Sequence, residues 1–140
     1  MKNGTNALGA LGLLLLMSAC DTLTGPDTLG SFTWSEIEGG GSVEAFADFA
    51  AFGRDVLVLG EFNTPTACFR LTPHLTESST RLTLRIEART TQTPNCADRV
   101  GAFRYEATLN GLDNGTYALV IVHDIQGSLS EFEHTLNIGT

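Results

Sequence analysis

The chain has 140 residues, enough for one domain with a single core. Hydrophobic residues make up 42% and charged residues 17%, a globular composition and not a disordered one. Sixteen acidic residues against eight basic ones give a formal charge of −8, which speaks against a phosphate backbone or an anionic lipid surface as partner, since both need a cationic face.

In chain order, the first feature is an address. Lys2 precedes the apolar run Ala7-Leu8-Gly9-Ala10-Leu11-Gly12-Leu13-Leu14-Leu15-Leu16-Met17, and small residues Ser18 and Ala19 lead to Cys20. A cationic start, a short hydrophobic stretch and small residues before a cut describe a secretory signal over residues 1–19. The run is about half of the ~20 residues a permanent membrane span takes. Met17-Ser18-Ala19-Cys20 resembles the bacterial lipobox, with Met17 where leucine is usual. That resemblance implies that Cys20 is diacylated on sulfur and becomes the mature N-terminus, a membrane anchor of two or more chains. Asp21 resembles an inner-membrane retention signal whose meaning varies between lineages, so the leaflet stays open.

Residues 20–31, polar and interrupted by Gly25-Pro26, are expected to be a tether. The domain is then expected over 32–140. A first strand spans 32–37 and ends at Gly39-Gly40-Gly41. Residues 42–52 are ambiguous. Ser42 as a cap, the stripe Val43, Phe46, Ala47 and Ala50, and a closing Gly53 favour a short helix over an irregular edge strand.

Strands follow at 55–62, 67–75, 81–89, 103–109, 116–124 and 131–138. The pattern is cleanest at 81–89, where Leu82, Leu84, Ile86 and Ala88 share one face and Arg81, Thr83, Arg85, Glu87 and Arg89 the other. At 103–109, Phe103, Tyr105, Ala107 and Leu109 face inward and Arg104, Glu106 and Thr108 outward. About seven short strands with turn signals between them indicate an all-β antiparallel sandwich. The stretch Leu109-Asn110-Gly111-Leu112-Asp113-Asn114-Gly115-Thr116-Tyr117-Ala118-Leu119-Val120-Ile121 resembles the corner leading into the penultimate strand of immunoglobulin-like and fibronectin III-like domains. The resemblance implies that the Tyr117 hydroxyl bonds back to the corner backbone.

If Cys20 carries lipid, Cys68 and Cys96 remain, and an exported compartment favours one disulfide between them. The cysteines do not match the inter-sheet pair of antibody domains. With 67–75 and 81–89 as a hairpin about Glu77-Ser78, both lie at one end, and a bridge there pins the loop after residue 90. Its loop entropy is worth ~3 kcal/mol.

Candidate chemistry is sparse. Arg70, Arg81, Arg85 and Arg89 fall outward on one hairpin beside His74, a local cationic stripe on an acidic protein. Such a stripe takes an acidic glycan or a partner's carboxylates. The plainer expectation, and the favoured one, is a solvated face balanced by Glu87 and Glu106. His123 and His134 lie on strands joined near Gly127-Ser128 and are candidates for a copper or zinc site with Asp124. Rim histidines without metal are the favoured reading, because metal centres need three or four converging ligands. Trp34, Phe46, Phe49 and Phe52 are expected to be core more than contact patch. No nucleophile elbow, H-E-x-x-H, P-loop or G-x-G-x-x-G occurs, so neither catalysis nor a cofactor is expected. The function expected is a lipid-anchored cell-envelope protein, binding or structural, partnered by the membrane through Cys20 and by an envelope protein or glycan. A metal-handling lipoprotein is the alternative.

Overall fold

A strand with one apolar face needs a second layer to cover it, and eight such strands here cover one another as two sheets. The computed structural model describes residues 28–39 and 41–139. Residues 1–27, with the expected signal, Cys20 and most of the tether, lie outside them. The strands are β1 (Leu29–Glu36), β2 (Phe46–Phe52), β3 (Asp55–Thr64), β4 (Phe69–Ser78), β5 (Arg81–Thr90), β6 (Gly101–Leu109), β7 (Gly115–Ile125) and β8 (Ser128–Ile138). The first sheet runs β1-β6-β3-β2 and the second β4-β5-β7-β8. The result is the expected all-β, immunoglobulin-like sandwich, with a strand order of its own. Five pairings are antiparallel, and β5–β7 is parallel. Parallel neighbours need a long connection, and β6, placed in the opposite sheet between them, is that connection.

Residues 42–52 are not a helix. Residues 42–45 are irregular and 46–52 form β2 as an edge strand, so the described residues hold eight strands where seven were expected. The spacing of Val43, Phe46, Ala47 and Ala50 suits a helix, but the tight turn at Gly53 (φ 63°) folds the segment back on β3, where Ala47 pairs with Gly60 and Phe49 with Val58. Ladder hydrogen bonds to β3 and burial of Ala47 outweigh a stripe that has no second face to meet. The chain also enters its first strand at Leu29, ahead of the expected Phe32.

The core is where alternation placed it. Leu82, Leu84, Ile86 and Ala88 of β5 are fully buried, as are Phe103, Tyr105, Ala107 and Leu109 of β6 across the sandwich. Val56, Val58, Phe62, Leu119, Ile121 and Leu136 complete the layer, each large side chain worth roughly 1.5–3 kcal/mol in removed apolar surface. Gly60 pairs with Tyr105, and a Cβ at residue 60 would overlap the phenol ring, so glycine there is what lets the ring lie flat across β3.

The two ends differ. At one end the chain enters at Thr28, whose carbonyl accepts from Asn110, and Arg54 accepts from Leu112 through its own carbonyl. The Tyr117 hydroxyl donates to the Asp113 carbonyl at 2.9 Å, the backward bond that the corner motif implies. At the other end Cys68 and Cys96 form a disulfide with a Cα separation of 5.7 Å. The Thr91 amide donates to the Cys68 carbonyl, and Arg99 pairs with Glu36, so the loop 91–100 is held to both sheets.

Two stability changes follow. Cys96→Ser lowers the unfolding free energy by roughly 3 kcal/mol through the loss of loop closure, measured by urea titration of oxidised wild type against the variant. Tyr117→Phe removes the corner hydrogen bond and lowers it by about 1 kcal/mol with the fold unchanged by circular dichroism.

Candidate functional site

The outer face of the second sheet carries the expected arginines. Period two on paired strands sets Arg70 opposite Arg89, His74 opposite Arg85 and Ser78 opposite Arg81. The acids that meet them come from β5 itself and from β7 and β8. Arg89 binds Asp124 through both nitrogens, at 3.0 and 3.1 Å. Glu87 lies 3.1 Å from Arg85 and 3.3 Å from Arg89, and His74 stands 3.9 Å from the same carboxylate. Arg81 reaches Glu133 at 3.7 Å. Glu106, expected to balance this face, stands on β6 in the other sheet and takes no part. The stripe is therefore a charge-paired surface with one exception: among the described residues, no carboxylate comes within ion-pairing distance of Arg70.

Asp124 is the buried member of this network, with a side chain 4% exposed. The Arg89 guanidinium holds its carboxyl below the ordinary carboxylate range, with further help from the Gly127 amide and Arg85. The same carboxylate closes the β7–β8 turn, accepting from Gly127 at 2.9 Å where Gln126 and Gly127 both have positive φ (51° and 90°). Asp124 is thus a structural acid and not a free ligand.

The two histidines that the alternative reading gave to one metal site are kept apart. In the β7–β8 ladder His123 pairs with Ser130 and His134 with Leu119, four rungs away, because the hairpin turns immediately after Ile125. His123 is 1% exposed inside the core, ringed by Phe62, Phe132 and Tyr105. Its Nε2 is 2.8 Å from the Tyr105 hydroxyl, a bond that crosses from one sheet to the other, and its Nδ1 has no partner among the described residues. His134 Nε2 lies 3.0 Å from the Ala47 carbonyl and its ring stacks edgewise on Phe49. Among the described residues no group of three or more His, Cys, Asp or Glu is placed to hold a metal ion.

The aromatic residues also depart from expectation. Phe46 and Phe52 are 42% and 65% exposed and Trp34 is 39% exposed, whereas Phe49 packs inward. Parity on the edge strand β2 turns Phe46 and Phe52 away from the core that Ala47 and Phe49 reach. Trp34 faces the interior side of β1 but sits at the open flank, where β1 passes over β4.

That flank holds a cleft of about 450 Å³, lined by Phe32 and Trp34 from β1, Arg70, Thr72 and Pro73 from β4, and Thr91 beyond β5. A second concavity, about 560 Å³, lies at the end where β1 begins, around Arg54 and Tyr117. Its arginine is already spent on the Leu112 and Gly111 carbonyls and on Asp113, at 2.7, 3.1 and 3.0 Å. The flank cleft is the better candidate site, since its arginine is free. Sequence reasoning singled out Trp34 and Arg70 separately and missed Thr72, Pro73 and Thr91. A proline amid a strand pattern was the available signal of an edge.

No family model, curated protein or solved structure matches this chain.

The buried imidazole makes stability acid-sensitive. Burial pushes His123 down from 6.5 to about 4, so the unfolded chain takes up this proton before the folded one does. Stability is then level above the unfolded value and falls as pH drops from 6.5 toward 4. The loss between pH 7 and pH 5 is about 2 kcal/mol. Asp124 acts lower: its contribution is present above its ordinary 3.8 and is lost as pH falls through its depressed value. Urea unfolding at pH 7 and pH 5 measures the His123 slope. The double variant His123→Phe with Tyr105→Phe, which leaves no orphaned hydroxyl, flattens it.

Proposed function

We propose that the chain is a lipid-anchored protein of a bacterial cell envelope, whose sandwich is a non-catalytic module that binds another envelope molecule. The observation that carries this reading is the cysteine arrangement. Cys20 closes Met17-Ser18-Ala19-Cys20 behind a short apolar run, and the two other cysteines of the chain are joined as Cys68–Cys96. A disulfide suits an oxidising, exported compartment and leaves Cys20 as the one thiol available for acylation. Two or more acyl chains supply the membrane affinity that a single chain lacks.

Polarity of the fold agrees with anchoring. The strand that follows the tether begins at Leu29, beside the turns at residues 53–54 and 79–80 and the corner at 110–114. The opposite end, built from residues 37–39, 41–45, 65–68 and the disulfide-held 91–100, then points away from the lipid. Charge pairing on the second sheet and the absence of a catalytic motif in the sequence favour contact over conversion.

The test is metabolic labelling with an alkynyl fatty acid in a bacterial host, followed by membrane fractionation. Wild type takes up label and needs detergent for extraction. Cys20→Ala takes up none and loses its mature membrane-bound form. An unlabelled wild type, or a labelled variant, overturns the anchor.

A further inference from the structure

The flank cleft has the composition of a sugar site, and the chemistry of its one cation says which sugar. We infer that the β1–β4 cleft binds a carboxylated saccharide, with Trp34 as the stacking platform and Arg70 as the carboxylate partner. The inference deepens the reading of this domain as a binding module and does not depend on the lipid anchor.

Three features carry it. First, Trp34 is 39% exposed although its indole is braced on Phe103 at 5.7 Å, so a rigid aromatic surface is held at the mouth of a concavity. A braced indole offers its apolar face to the C–H face of a pyranose at little entropic cost. Second, Arg70 points outward from β4 with Arg89 across from it and no acid in reach among the described residues, on a chain that carries sixteen acids and eight bases. Arg81, Arg85 and Arg89 all found carboxylates, and a guanidinium left without one matches a carboxylate bidentately. Third, the exposed Thr72 and Thr91 bring hydroxyls to the same cleft, donors and acceptors of the kind that sugar hydroxyls exchange.

The competing occupant is an acidic peptide added as a strand. The β4 edge makes this the weaker fit. Pro73 sits in the middle of β4 and has no N–H to give, so the β4 edge flanking the cleft offers an interrupted ladder. A saccharide needs no ladder. The cleft also lies toward the disulfide end, since Thr91 bonds Cys68 and Phe69 opens β4, and this is the end turned away from the tether.

Trp34 is the single tryptophan of the chain and lines this cleft, so its fluorescence reports on binding there, and the Arg70 variant tells this cleft from the concavity beside Arg104 that Trp34 also lines. The full-length protein is titrated in detergent with an oligogalacturonate, with a neutral malto-oligosaccharide of equal length and with oligoglutamate. Expected are a saturable emission change with the uronate, half-saturation about tenfold weaker for the neutral sugar, and a similar loss of uronate affinity in Arg70→Gln. The Arg70→Gln melting temperature should match wild type, since that side chain has no hydrogen bond or ion pair among the described residues. Arg81→Gln, on the paired part of the same sheet, should bind as wild type does. No emission change at millimolar uronate, equal affinity in Arg70→Gln, or oligoglutamate binding as tightly as the uronate overturns the assignment. A failed titration leaves the fatty-acid labelling result untouched, so the ligand and the anchor are decided separately.

Discussion

Two stacked sheets enclose one dry layer, and each strand reaches that layer with only every second side chain. Most of the architecture follows from this constraint. It puts Leu82, Leu84, Ile86 and Ala88 against Phe103, Tyr105 and Leu109, and it forces the intervening arginines and acids onto the outside. It also makes polar intrusions expensive. The Tyr105–His123 bond is such an intrusion, joining β6 to β7 across the core, with Gly60 leaving room for the phenol. Burial raises the Tyr105 hydroxyl pKa and depresses that of the imidazole, so both partners stay neutral at ordinary pH. A neutral pair is tolerable in a low dielectric where a charged one would not be.

The outer faces obey a different economy, in which charge meets solvent. On the second sheet, Arg81, Arg85 and Arg89 lie along β5 and their acids come from β5, β7 and β8. Because β7 is central, Asp124 is covered by the side chains around it and becomes a buried carboxylate that organises both Arg89 and the turn at Gly127. Arg70 stands on the edge strand β4, which has only one neighbour, and so has fewer chances of meeting an acid. Its freedom is a consequence of sheet order, as is the nearness of Trp34, which edge strand β1 delivers from the opposite layer.

Where expectation and structure part, sheet position is the reason. The helical stripe at 42–52 is real as a spacing, yet a seven-residue strand with a tight turn at Gly53 satisfies more backbone through pairing with β3. The exposed phenylalanines come from the same place: an edge strand has a face that nothing covers. His123 and His134 share a parity, so alternation alone set them on one face. Their separation depends on where the hairpin turns, and the Gln126-Gly127 turn shifts the register enough to part them.

Sequence by itself determined the all-β class, the inward and outward residues of β5 and β6, the tyrosine corner at Tyr117 and the pairing of Cys68 with Cys96. These rest on local periodicity, on a local motif and on the placing of two cysteines at one end of a hairpin, all of which can be read along one chain. Tertiary structure alone decided that β5 and β7 run parallel, that Glu106 lies away from the arginines, that His123 is sealed in the core, and that Trp34 and Arg70 border one cleft. Each of these depends on which strands become neighbours and which sheets face each other, a matter of long-range packing free energy that no window of alternating residues contains.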